Sequence, residues 1–190
     1  LSENYYSVQN VIINKYNVDF SGMASTSYRR RILKAMNCNA IDTVSALVRK
    51  LEGSETFFTQ FCSDMIVDST EFFRDPSFWR KMKEDIFPRY ISQESFRIWV
   101  VGCATGEELI SLCIALKEMG LLNKSKILAT EINELGFNKV KNAVYPIKNM
   151  EIALSNYERF EGKGKLSDYY KEENGKLFWM KMLRFFVQIP

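Results

Sequence analysis

The fold of this chain is decided by the stretch Phe96-Arg97-Ile98-Trp99-Val100-Val101-Gly102-Cys103-Ala104-Thr105-Gly106-Glu107-Glu108. Its first six residues are rich in strand formers and predict a buried β-strand. A turn of small residues follows at 102–106, and an amphipathic helix is predicted at 107–119. A second strand at 126–130 and a helix near 134–143 repeat the order. Strand, helix, strand, helix is the opening of a parallel α/β sheet.

Upstream of Ser95 the sequence predicts short helices, which we group as an all-helical N-terminal domain at 1–75. Cap residues predict where two of these helices begin: Ser27 for the second helix and Asp42 for the third. The fourth helix is expected at about 55–66. Asp75-Pro76 has the form of a cap followed by proline at the first helical position. The α/β domain is therefore expected at 76–190.

Downstream, the segments near Tyr169 and from Leu177 to Val187 predict two strands, and Asn174-Gly175 is a hairpin signal. We expect them to form a small β-subdomain near 169–187. Only about two parallel strands then fit before Pro190, whereas a doubly wound sheet has five or more. The expectation is an incomplete domain with an exposed sheet edge and an uncovered apolar face.

Composition excludes several classes of function. The chain of 190 residues carries 26 basic and 23 acidic side chains, a net charge of +3 that is too mild to indicate nucleic acid. There is no apolar run of about 20 residues for a membrane span and no signal-peptide pattern at the start. The four cysteines form no CxxC pair, which favours reduced thiols and a cytoplasmic location.

The absence of histidine narrows the chemistry further. It excludes Ser-His-Asp and Cys-His catalysis and every His-ligated zinc site within this chain, and no metal site is expected. Any reaction must depend on carboxylates, tyrosine, arginine, lysine, hydroxyls or a cofactor.

Two acidic positions lie where the strands of the predicted sheet end. The turn from Gly102 is not GxGxxG, and Glu107 and Glu108 at the helix start would repel phosphate but suit a cationic amino group or a sulfonium. The alternative is an ordinary strand-to-helix turn whose acids favour the helix dipole. Glu131, directly after the second strand, is placed to accept hydrogen bonds from ribose hydroxyls. Its alternative is a surface acid that caps the next helix.

Two further segments have both a functional and a structural interpretation. In Thr70-Glu71-Phe72-Phe73-Arg74-Asp75-Pro76 two aromatics separate a hydroxyl from an arginine, or else a buried Phe pair joins two helices while Arg74 pairs with an acid. On the second helix, Arg30, Arg31 and Lys34 fall within about 100° of one another, opposite the apolar side. This basic stripe could dock an acidic helix of a partner, or it could be a solvated face.

Four sets of segments, in order, resemble one family, the chemotaxis-receptor glutamate methyltransferases of the CheR type. They are 19–21 with 28–32, 70–76, 97–108 with 111–112, and 129–133 with 143–145. The resemblance implies an all-helical N-terminal domain followed by a Rossmann-like S-adenosylmethionine methyltransferase domain. It implies methyl transfer from S-adenosylmethionine to a glutamate carboxylate, which yields a methyl ester and S-adenosylhomocysteine.

By motif match, the resemblance also implies residue roles. Arg74 would be catalytic by orienting the substrate carboxylate, since a guanidinium matches it bidentately. The basic stripe of Arg30, Arg31 and Lys34 would bind the acidic methylation helix of a chemoreceptor. The implied cofactor-binding residues are Asp68, Thr70, Arg74, Gly102, Glu107 and Glu131.

The sequence departs from the family pattern at several points. Glu131 stands where the family usually has aspartate, and Asp68 where many members have asparagine. The family's later Cys-Arg-Asn-Val segment and its following tyrosine are absent. The alternative function is therefore a truncated or degenerate module that binds S-adenosylmethionine or docks a partner without catalysis.

Overall fold

The computed structural model describes residues 5–65, 70–131, 134–148, 150–179 and 185–188, with backbone alone at 134–137 and 185–188. The chain divides into two compact units, Leu1–Ile66 and Val67–Pro190. The division lies before the boundary expected at residue 75. As a result, the segment from Thr70 to Pro76 belongs to the same unit as the turn after the first strand.

The described part of unit 1 is helical. Its helices are α1 (Tyr6–Tyr16), α2 (Ser25–Cys38), α3 (Val44–Gly53) and α4 (Glu55–Met65). Their apolar faces meet in one core, in which Ile12, Ile32, Leu47 and Phe61 are fully buried. Burial of these faces stabilises the helices more than intrinsic propensity does.

The cap residues expected for two of these helices were wrong. Helix α2 begins at Ser25, two residues before the expected cap Ser27. Helix α3 is capped by Thr43 and not by Asp42, because the extended backbone of Thr43 lets its hydroxyl accept a hydrogen bond from the Ala46 amide. This is the usual N-cap geometry, displaced by one residue along the chain.

Unit 2 begins with a helix and then alternates strands with helices. Its elements are α5 (Pro76–Lys81), which continues as a π turn (Met82–Ile86) and a 3-10 turn (Phe87–Tyr90), β1 (Phe96–Val101), α6 (Glu107–Glu118), a 3-10 turn (Leu122–Lys124), β2 (Ser125–Thr130), α7 (Glu134–Asn142), β3 (Val144–Pro146), α8 (Met150–Phe160), a 3-10 turn (Leu166–Tyr169), β4 (Tyr170–Glu173), β5 (Lys176–Trp179) and β6 (Phe185–Gln188).

The parallel sheet has the order β1-β2-β6. In it Val100 lies opposite Ala129, and Ile127 lies opposite Phe185. The expectation of only about two parallel strands was therefore wrong: the segment from Leu177 to Val187 is not one strand but two, and the second returns to this sheet. On β1, Trp99 and Val101 remain 65% and 69% exposed, so one face of this strand is uncovered by the described residues.

A second sheet is antiparallel, with the order β3-β5-β4. The hairpin β4–β5 turns at Asn174 and Gly175, both of which have positive φ, as a type I′ turn requires. Strand β3 was not expected from the sequence. It pairs with β5, and the Trp179 amide also donates to the Ala143 carbonyl.

The core of unit 2 is centred on α6, which is almost wholly buried. None of the helices in the described part of the chain combines the length and the apolar character that a bilayer span demands.

Candidate cofactor and active site

The turn from Gly102 to Gly106 is fixed at the carboxyl end of β1 by its neighbour β2. The amides of Gly102 and Cys103 both donate to the Thr130 carbonyl, at 2.9 and 3.1 Å. Gly102 has φ +68°, and a Cβ built on it would meet no atom within 4 Å. The backbone at Gly102 is therefore open to close approach by a ligand.

Gly106 ends the turn under a different constraint. Its φ is +94°, and a Cβ built there would lie 2.8 Å from both the Tyr145 hydroxyl and the Val140 Cγ2. The same Tyr145 hydroxyl donates to the Thr105 carbonyl at 2.5 Å. Tyr145 thus packs onto the turn so closely that only glycine fits at 106.

Glu131 follows β2 and is only 3% exposed. Its Oε2 accepts a hydrogen bond from the Ala104 amide at 2.6 Å, which ties the ends of β1 and β2 together. The alternative of a surface acid is wrong, because the side chain is buried. Glu131 is thus a buried carboxylate held against the turn.

Glu107 is the first residue of α6 and is 8% exposed. The Thr105 hydroxyl donates to its Oε2, and the Lys139 Nζ lies 3.7 Å from its Oε1. Burial raises the pKa of the Glu107 carboxyl, while the Thr105 hydrogen bond and the Lys139 charge act in the opposite direction. Glu107 is thus a buried acid with a cation beside it.

The segment from Thr70 to Pro76 is attached to α6 and α8. The Phe73 amide donates to the Ser111 Oγ at 2.8 Å, and the Asn156 Nδ2 donates to the Phe72 carbonyl at 3.1 Å. Both phenylalanines are buried, as the structural interpretation of this segment expects.

These elements enclose a cleft of about 230 Å³. It brings together Thr70 and Glu107, two of the residues that motif matching suggested. The cleft is lined by Thr70, Glu71, Phe72, Glu107, Lys139, Tyr145, Pro146, Lys148, Met150 and Ala153. Its wall is therefore partly apolar, with charged groups of both signs.

Residues 68–174 match the family described as CheR methyltransferase, SAM binding domain. This chain belongs to the CheR methyltransferase family. It is 32% identical over 170 residues to the putative methyltransferase Cher3 of Pseudomonas putida, covering 90% of this chain and 62% of that protein. It is 24% identical over 173 residues to a chemotaxis protein methyltransferase of Listeria monocytogenes, covering 90% and 66%. The chain thus spans just under two thirds of the length of these curated relatives.

S-adenosylmethionine is the cofactor of this CheR domain, and the turn fits such a ligand. The cofactor carries a positive sulfonium, an amino group and ribose hydroxyls. The structure offers two buried carboxylates at this turn. Glu107 lines the cleft, whereas Glu131 is bonded to the Ala104 amide and, like Gly102, is not among the cleft-lining residues. The Rossmann-like character expected from the sequence agrees with the parallel strands of unit 2.

Not every residue expected from the CheR resemblance lies at this cleft. The Arg74 side chain is 62% exposed, its Nε is 4.0 Å from Asp75 Oδ2, and it is not among the cleft-lining residues described. Asp68 lies outside the described residues. The pairing of Arg74 with an acid, foreseen as an alternative, is present at the limit of ion-pair distance.

The basic stripe lies in unit 1 and is only partly exposed. Arg30 and Lys34 line an open groove of about 470 Å³ on α2, together with Arg29 and Leu33. Arg31 differs from them, since it is half-buried and its Nη1 donates to the Asp64 carbonyl at 3.4 Å. Arg29, and not Arg31, therefore lies with Arg30 and Lys34 on the exposed face of α2.

Sequence reasoning missed four residues that line or support this candidate site: Lys139, Tyr145, Ser111 and Asn156. Tyr145 and Ser111 were quoted as parts of the resemblance but given no role. A sequence signal existed for Ser111, because a serine within an otherwise apolar helix face needs a hydrogen-bond partner.

Proposed function

We propose that this protein is an S-adenosylmethionine-dependent O-methyltransferase that esterifies glutamate side chains of a chemoreceptor-like protein. The main support is the buried Glu131 carboxylate, which is bonded to the Ala104 amide at the cofactor turn. The names of the relatives, which include chemotaxis protein methyltransferases, support the choice of substrate.

Each acid of the site has a distinct proposed role. Glu131 accepts hydrogen bonds from the ribose hydroxyls, since it stands where an acid follows the second strand of a nucleotide-binding unit. Glu107 binds the amino group of the methionine portion. Thr70 contributes to the wall between cofactor and substrate, since it lines the cleft with Glu107.

The reaction needs no general base, which agrees with the absence of histidine. The bound cofactor supplies an activated methyl group on a positive sulfur. Glu107 and Glu131 would hold this cofactor, and transfer of its methyl group to the substrate carboxylate would give the methyl ester and S-adenosylhomocysteine. No proton moves, so catalysis consists of positioning the carboxylate in line and excluding water.

Arg74 is proposed to position the substrate carboxylate. Its guanidinium is exposed, and at 4.0 Å from Asp75 it is beyond normal hydrogen-bond distance from that acid. It can therefore form a bidentate pair with an incoming glutamate. The exposed cations of α2, Arg30 and Lys34, are proposed to bind the acidic helix that carries the glutamate, and Arg31 contributes charge from its half-buried position.

Calorimetric titration with S-adenosylhomocysteine tests the cofactor site. We expect micromolar binding that Glu131→Gln weakens about 10- to 100-fold, the value of a hydrogen bond to a charged group. Glu108→Gln removes an exposed acid from the first turn of α6 and should change affinity less than twofold. Failure of the folded protein to bind, or equal affinity in Glu131→Gln, would contradict the proposal.

The fact that Arg74 does not line the cleft supports a second candidate, a module that binds S-adenosylmethionine without catalysis. The two candidates differ in whether they transfer a radiolabelled methyl group to the cytoplasmic region of a chemoreceptor. The methyl ester is detected as the radiolabelled methanol that base releases from it. An enzyme transfers the label and loses transfer in Arg74→Ala. A module binds the ligand but transfers nothing.

A further inference from the structure

Lys139 is a cation that lies beside Glu107 in the wall of the cleft. It lies on α7 with its side chain 37% exposed, and its Nζ is 3.7 Å from Glu107 Oε1. The same Nζ lies 5.2 Å from the centroid of the Tyr145 ring, which packs on the turn. Lys139 on α7 therefore contacts Glu107 on α6, so the pair joins two elements.

The two oxygens of Glu107 are contacted from two sides. The Thr105 hydroxyl donates to Oε2, and Lys139 faces Oε1. These contacts, together with the interaction of its own backbone amide, fix the orientation of the Glu107 carboxylate. A buried acid held in this way is preorganised for a cationic group in the cleft.

We propose that Lys139 is a positioning residue that keeps Glu107 ionised and oriented to bind the amino group of S-adenosylmethionine. This inference rests on the proposed function, in which Glu107 binds that amino group. Lys139 acts through Glu107 and is not itself assigned a contact with the ligand.

The charges around Glu107 make its ionisation, and therefore ligand binding, depend on pH. Burial disfavours the ionised carboxylate and raises its pKa, whereas the Thr105 hydrogen bond and Lys139 lower that pKa. Among the described residues, the other titratable groups near it are the Tyr145 hydroxyl and, in the cleft wall, Glu71 and Lys148. Without Lys139 the Glu107 pKa rises further. On acidification, the carboxylate is then protonated at a higher pH than in the wild type.

The test compares Lys139→Gln, Lys139→Arg and Lys141→Gln. Lys141 is an exposed lysine of the same helix and serves as the matched control for loss of one positive charge. S-adenosylhomocysteine affinity is measured by calorimetry from pH 5 to pH 8.5. For Lys139→Gln we expect the loss of affinity on acidification to begin about one pH unit higher, with about tenfold weaker binding within that window. Lys139→Arg and Lys141→Gln should follow the wild-type profile.

A second measurement does not depend on ligand binding. In protein labelled with ¹³C at the glutamate carboxyl carbons, the Glu107 signal should titrate at higher pH in Lys139→Gln than in wild type. An unchanged Glu107 titration would overturn the proposal. So would a loss of affinity that is equal at every pH, since that would indicate a structural effect.

The two proposals fail in distinguishable ways. If the wild-type protein does not bind S-adenosylhomocysteine, the proposed function fails. If wild type binds but Lys139→Gln shows the wild-type pH profile, the role of Lys139 alone is refuted.

Discussion

Polar contacts from β2, from the residue that follows it and from β3 fix the turn after β1. The Thr130 carbonyl accepts from its first amides, Glu131 accepts from Ala104, and the Tyr145 hydroxyl donates to Thr105. The turn is therefore shaped before any ligand arrives. Preorganisation of this kind lowers the entropic cost of binding.

Replacement of Gly106 tests how tightly this turn is packed. We expect Gly106→Ala to lower the free energy of unfolding by about 2–4 kcal/mol, because strain from positive φ adds to the clash with Tyr145 and Val140. Gly120→Ala is the matched control, since its φ is +70° but a Cβ there meets nothing within 4 Å. Urea denaturation measures both, and equal losses in the two variants would show that the clash is absent.

Residues of the site were predictable where position along the chain decides their place. Glu107 and Glu131 were found because each directly follows the end of a strand or its turn, and parallel strands bring those ends together. Lys139 and Tyr145 were not found, because their contacts depend on how α7 and β3 fold back onto the turn. The burial of Glu131 likewise depends on tertiary packing, which its sequence neighbours do not reveal.

At the scale of elements, α6 is joined to the α8 region by a cluster around Glu118 at its carboxyl end. Glu118 Oε1 accepts from the hydroxyls of Tyr157 and Tyr169, and Oε2 accepts from the Lys163 amide at 3.0 Å. Burial is the larger cause that raises the pKa of Tyr169 to about 12, and the negative charge of Glu118 is the next. The cluster fixes the connection that leads from α8 to β4.

Removal of this acid should loosen unit 2. Glu118→Ala leaves two part-buried hydroxyls without their acceptor, so we expect a loss of about 2–3 kcal/mol in the free energy of unfolding. Glu118→Gln, which keeps an acceptor oxygen, should lose less, and the exposed Glu158→Ala on α8 should lose under about 0.5 kcal/mol. In Glu118→Ala the Tyr169 pKa should also fall, as followed by ultraviolet titration. A Glu118→Ala protein as stable as Glu158→Ala would contradict the role of the cluster.

Element prediction failed where a single apolar stretch supplies two sheets. The sequence from Leu177 to Val187 contains neither glycine nor proline, so nothing in it separates β5 from β6. Strand β5 pairs antiparallel with β4, and β6 pairs parallel with β2. Pairing partners depend on the whole sheet, which local periodicity does not describe.

At the scale of the whole molecule, two hydrophobic cores exist in the described residues. One lies within α1–α4, and the other surrounds α6. The cofactor motifs lie in unit 2, since the units divide at Ile66–Val67. The sequence indicated two domains because composition changes near Ser95, but the exact division depends on packing.

Ligand protection should follow this division. With S-adenosylhomocysteine at about 100 times its dissociation constant, amide exchange in unit 2 around 102–107 should slow up to about 100-fold, because the ligand suppresses opening. Exchange in α1–α4 should stay unchanged, since these helices pack in a separate core. Hydrogen exchange with mass spectrometry measures both regions, and equal protection of α3 and α4 would show that the two cores open together.

The uncovered face of β1 also gives the protein an optical property. Of the three tryptophans, Trp79 and Trp179 are 3% and 4% exposed, whereas Trp99 is 65% exposed. The Trp99 indole donates to the Thr130 hydroxyl at 3.2 Å, one residue before Glu131. We therefore expect red-edge emission and acrylamide quenching to come chiefly from one indole, that of Trp99 on β1, which contacts the last residue of β2. We expect the fluorescence of the native chain to report on the end of β2, next to Glu131, without any added label.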